Sequence, residues 1–140
     1  MENVLNLFDR DIRSCGRDVM PNSLEFHKDY ETITELNMII NGKIEYEESI
    51  ETVSIRELTS AKEFICKSSY KDFMTEYDSG NLDTKHFKEK DLPIVLFSSS
   101  GYYSVYDGNA LLSVLKDVNE LSATVKVISA TRRNSIGLRL

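Results

Sequence analysis

Asp107, Gly108 and Asn109 stand between an alternating apolar strand, Tyr102-Tyr103-Ser104-Val105-Tyr106, and a leucine-rich segment. A helix that begins directly after a strand turns its free backbone N–H groups, and the positive end of its dipole, toward whatever lies above the sheet edge. An anion such as phosphate is the usual occupant of such a place. Gly108 allows a ligand or another backbone to come close. Asp107 can hold the turn or assist a metal, and Asn109 can cap the helix or touch a ligand. The cationic side chains that complete a phosphate site are missing, because the next residues are Ala110 and Leu111. Arg132 and Arg133, just after the last apolar strand, are the remaining candidates for a phosphate contact.

Other chemistry has weaker support. His27 and His86 are the only histidines and sit in no HExxH or HxH spacing, so no metal site is expected. Ser98-Ser99-Ser100-Gly101 is rich in small residues but lacks the GK[ST] ending of a phosphate loop. It is expected to be a hairpin turn. Cys15 and Cys66 are too few for a disulfide framework and form no CxxC pair, so both are expected to be reduced.

The chain has 140 residues, a length that suits one domain. Its net charge of −6 is confined: Glu25 to Glu57 holds nine acids against three bases, an imbalance equal to the whole. Glu45, Glu47 and Glu48 are the densest part of this segment, and they make it a candidate surface for a basic protein partner. From Leu121 onward there are four bases and no acidic side chain. No apolar run approaches the ~20 residues of a membrane helix, and acids occupy the start of the chain, where a secretion signal is basic. A cytoplasmic protein without membrane contact is expected.

The elements that must position these groups are given by periodicity. Val4, Leu5, Leu7, Phe8 and Ile12 fit a short helix, and Leu24 to Ile40 fits a second one, beginning at residue 22 or 23 and stopped by Asn41-Gly42. Val53 and Ile55 alternate as a short strand. Ser60-Ala61-Lys62-Glu63 is a capping box and predicts a helix beginning at Ser60, with Ile65, Cys66, Tyr70, Phe73 and Tyr77 on its inner stripe. Asn81 to Leu92 is polar, anchored by Leu82 and Phe87. Ile94 to Phe97 is a continuous apolar run, the pattern of a strand covered on both faces. In the next strand Tyr103 and Val105 face one way, and Tyr102, Ser104 and Tyr106 the other. A helix and a closing strand around Val125, Val127 and Ile128 complete the chain. Helices interleaved with short strands give an α+β domain with a small mixed sheet and packed helices.

The order strand, helix, Pro93-Ile94-Val95, Gly101-Tyr102-Tyr103-Ser104-Val105-Tyr106-Asp107-Gly108, helix, strand resembles the ParB/sulfiredoxin-like superfamily over about residues 50–130. The resemblance implies a 50–130 ParB-like α+β domain, preceded by a mostly helical extension (1–49) and succeeded by a basic tail (131–140). It implies binding of a nucleotide, a nucleic acid or a protein partner around Asp107, Gly108 and Asn109, with a nucleotide and Mg2+ as the implied cofactors. The family places an arginine about three residues after the glycine, and here that position carries no cation. A leucine or alanine cannot supply a guanidinium's paired hydrogen bonds, so the expectation is binding without strong catalysis. Two alternatives stand beside it. One is an acidic interaction protein of a phage or other mobile element, an inhibitor or host-takeover factor acting through residues 25–57. The other is a ParB-like nuclease or NTPase with Asp107 as metal ligand or base.

Overall fold

The computed structural model describes residues 17–130. In chain order the elements are β1 (Val19–Pro21), β2 (Glu25–Phe26), α1 (Tyr30–Ile40), β3 (Tyr46–Ser54), β4 (Leu58–Ser60), β5 (Phe64–Cys66), α2 (Lys67–Asp78), β6 (Ile94–Phe97), β7 (Tyr103–Asp107), α3 (Asn109–Asp117) and β8 (Ser122–Ala130). Six strands form one mixed sheet in the order β2-β4-β7-β6-β8-β3, and β1 pairs with β5 in a separate antiparallel ladder. The fold class is α+β.

The alternation read from the sequence decides which helix covers which face. Val53, Val95, Val105, Val125 and Val127 point to one side and pack with Leu111, Leu112 and Leu115 of α3, while Phe73 and Tyr77 of α2 close over them. Ile94, Leu96, Tyr106 and Ile128 point to the other side and meet Leu36 and Ile39 of α1, with Ile44 and Tyr46 at the border. The central strands are therefore covered on both faces, which is why Ile94 to Leu96 carries no polar residue.

Three expectations are corrected. The capping box does not start a helix: Ser60 closes β4, its carbonyl accepts from the His27 N–H (2.9 Å), and its hydroxyl accepts from the Lys62 N–H (3.1 Å). Pairing of β4 with β2 and β7, and of Phe64–Cys66 with β1, claims backbone groups that a helix needed, so α2 begins at Lys67. The helix expected from residue 22 or 23 begins at Tyr30, because Asp29 is its N-cap and accepts from the Glu31 N–H (3.1 Å). The stretch before it gives β1 and β2, so α1 is the one helix among the described residues of the 1–49 segment. Cys66, expected as a reduced thiol, is disulfide-bonded. Cys15 and the helix expected around Val4 to Ile12 lie outside the described residues.

The Ser98–Gly101 turn does connect β6 to β7 as a hairpin, and α1 holds it. Glu35, buried beneath the turn, accepts from the Ser99 N–H (2.8 Å) and hydroxyl (3.1 Å) through one oxygen. Asp29 accepts from the hydroxyls of Thr32 (2.6 Å) and Ser100 (2.9 Å). The Thr32 hydroxyl, then that of Ser100, holds the Asp29 carboxyl below its ordinary value of 3.8.

Replacing Glu35 with Ala leaves a turn amide without its acceptor and is expected to cost about 1–3 kcal/mol in chemical denaturation. The depressed Asp29 value means that its contribution is complete above pH 3.8 and is lost as pH falls through the folded-state value. Melting curves between pH 2 and 6 should accordingly show a smaller acid-induced fall for Asp29→Asn than for the native chain.

Candidate functional site

The joint between β7 and α3 is built around a backbone approach that excludes a side chain. Gly108 sits at φ 98° as the N-cap of α3, and a Cβ placed there would lie 2.7 Å from the Cβ of Pro93. Both the left-handed conformation and the absence of a Cβ are therefore required. Its carbonyl accepts the first helical bond, from the Leu112 N–H (3.0 Å). The amides of Ala110 and Leu111 lie in the opening turn, where an α-helix supplies no acceptor.

The three residues singled out in the sequence divide at this point. Asp107 (1% exposed) and Gly108 border a cavity of about 620 Å³. Asn109 is fully buried beneath them as the first helical residue rather than the cap. Its side-chain oxygen accepts from the Asn22 amide (3.2 Å), and the Asn22 oxygen in turn accepts from the Ser113 hydroxyl (2.8 Å) and the Leu24 N–H (3.0 Å). Asn109 thus ties the chain ahead of α1 to the start of α3. Glu47 and Glu48 lie on β3, with Glu45 just before it, and β6 and β8 separate them from β7. Arg132 and Arg133 lie outside the described residues.

The cavity walls come from two segments that sequence reading gave no part in a site. Phe73 and Glu76 of α2 form one side. The other is the polar connection of residues 81–93, which makes two 3-10 turns, Thr84–His86 and Glu89–Asp91, and presents Leu82, His86, Phe87, Lys88 and Asp91. Leu82 and Phe87 were legible as the apolar anchors of that connection, but that they line one cavity with Phe73 and Leu111 was not. The enclosure offers aromatic and aliphatic walls, a helix N-terminus, and charges of both signs at its rim, as ligand sites commonly do.

Polar bonds tie α2 to the end of α3 and the residues after it. The Tyr70 hydroxyl donates to Asp117 at the end of α3, as does that of Ser23 (2.8 Å). Burial, then the bond to Asp117, pushes the Tyr70 phenol up to about 12. The Tyr77 hydroxyl donates to Glu120 (3.2 Å), and this bond, then desolvation, raises its value as well.

The histidines do not converge on a shared centre. His27 stacks on Tyr102, ring centroids 4.0 Å apart, with its Nε2 3.9 Å from Asp29. His86 is at the cavity rim. Among the described residues, no group of three or more His, Cys, Asp or Glu is arranged to hold a metal ion, and no helix is long and apolar enough to cross a membrane. No protein-family model matches the chain, and no curated protein matches it in sequence.

Gly108→Ala is expected to lower unfolding stability by about 1–3 kcal/mol, since it combines a disfavoured φ with the Pro93 contact. A Tyr70→Phe variant removes a group whose contribution is complete below its ordinary value of 10 and is lost as pH rises toward 12. Its melting temperature should therefore fall less than that of the native chain between pH 9 and 12.

Proposed function

We propose that this chain is a ParB/sulfiredoxin-like domain that binds a nucleotide at the β7–α3 joint, without strong catalysis of its own. The observation that carries this reading is the cavity of about 620 Å³ bordered by Asp107, Gly108, Ala110 and Leu111. It brings a helix N-terminus and aromatic walls into one enclosure. A nucleotide matches both: a base has a flat apolar surface for Phe73 and Phe87, and a phosphate suits the opening amides of α3 with Lys88 and His86 at the rim.

The absent arginine limits the chemistry open to a bound nucleotide. The cavity cation Lys88 and the imidazole of His86 are on an exposed connection, where water screens charge and the side chains are not held in one geometry. That arrangement supports ground-state affinity better than selective stabilisation of a transition state. Asp91 and Asp107 are the carboxylates suited to a Mg2+ carried in by the nucleotide, an ion that commonly takes one or two carboxylates together with substrate phosphates.

Thermal melts of the full chain with ATP, GTP, CTP or a short DNA duplex, each with and without Mg2+, test this reading. A ligand that binds the native state alone raises the midpoint by mass action. A shift with one nucleotide is expected, and Phe87→Ala, which also loses core packing, should show no shift relative to its own unliganded midpoint. A shift with DNA but with no nucleotide would move the assignment to nucleic acid. No shift with any of the four would overturn it. Gly108 is unsuited to this test because its substitution disturbs the fold.

A further inference from the structure

The sheet ends on one side in the two-residue strand β2 and on the other in β3, which runs for nine residues. Every residue of β3 is in register with β8, from Tyr46 opposite Ala130 to Ser54 opposite Ser122, with no interruption. Among the described residues no strand lies on the outer side of β3. In an antiparallel pair, alternate residues direct their N–H and C=O groups away from the partner. A long regular edge of this kind is a template for strand addition, and proteins usually blunt it with short length, proline, a bulge or charge. β3 contains no proline and no bulge, which leaves charge as its safeguard among the described residues.

That charge has one sign. Glu47, Glu48 and Glu51 lie on the strand and Glu45 just before it, while the strand itself has no base. Lys126, a nearby cation among the described residues, belongs to β8 and is drawn to Glu89 (2.9 Å) and Glu48 (3.6 Å). A second copy of β3 would set acids against acids, which disfavours pairing. A segment with Lys or Arg at alternate positions meets no such penalty. Ile50, 53% exposed, shares a face with Tyr46 and Glu48 and gives an apolar side chain of the incoming strand something to cover.

We infer that β3 is a docking edge for an extended basic polypeptide segment of another protein, added as a seventh strand of the sheet. Backbone pairing supplies the attachment, and the acids choose the occupant. The surface is distinct from the β7–α3 cavity and stands without it.

Three synthetic peptides test the inference on the full chain: an alternating Lys-Val peptide, its Glu-Val counterpart, and a Lys-Val peptide of equal charge with a central proline. Affinity is read by fluorescence anisotropy, and protection of the β3 amides by hydrogen exchange. The Lys-Val peptide should bind, weaken with salt, and newly protect the alternate amides between residues 46 and 54 that do not pair with β8. The Glu-Val and proline peptides should bind at least about tenfold more weakly. Glu45→Gln, Glu47→Gln and Glu48→Gln combined should weaken the Lys-Val complex by roughly tenfold as well. Equal affinity for the proline peptide would reduce the effect to nonspecific attraction and overturn the inference. Protection of the outward-facing amides, those not bonded to β8, already present in the free monomer, or self-association through β3, would overturn it too, since the edge would then be filled by this chain itself.

Discussion

The contact between Gly108 and Pro93 is the constraint on which the site depends. Pro93 leads into β6 and Gly108 leads out of β7, two neighbouring strands of the sheet. Bringing their backbones this close lets α3 begin immediately beyond the sheet edge, with its opening turn over the strand end. A side chain at Gly108 would push the helix and the Pro93 segment apart. The cavity is bounded by both partners of this contact, so the same close approach that orders the core also defines the shape of the opening.

Around that joint the protein uses polar groups mainly as internal ties. Asn109 with Asn22 and Ser113, Asp117 with Tyr70 and Ser23, and Glu35 with Ser99 each join segments more than forty residues apart in sequence. Buried polar groups are costly unless they are bonded, which explains why several of the most chemically suggestive side chains serve to hold the fold. The cavity's polar lining comes from the exposed connection, from Ser69 and Glu76 of α2 and from Asp107 at the end of β7.

Much of the architecture was legible in local patterns. The continuous run Ile94–Phe97, the alternation of Tyr103 to Tyr106 and the leucine stripe after Gly108 correspond to β6, β7 and α3, because a residue's burial in these elements is fixed by the two- and 3.6-residue periods. Ser60–Glu63 misled for an equally physical reason. Capping chemistry is a preference worth about 1 kcal/mol, and a strand with partners on both sides outweighs it. The state of Cys66 was likewise unreadable from cysteine count, since pairing depends on where the folded chain brings a thiol.

By itself the sequence determined the α+β class, the two-faced burial of the central strands, the hairpin at Ser98–Gly101 and the location of the strand-to-helix joint. These are set by spacing over a few residues, which any fold of the chain must respect. The tertiary structure alone decided that Asn109 turns inward, that Phe73, Phe87 and Leu111 line one cavity, and that β3 becomes an outer edge with Glu47 and Glu48 exposed. Those outcomes depend on which distant segments come to lie side by side, and strand order is a property of the whole sheet that no local pattern carries.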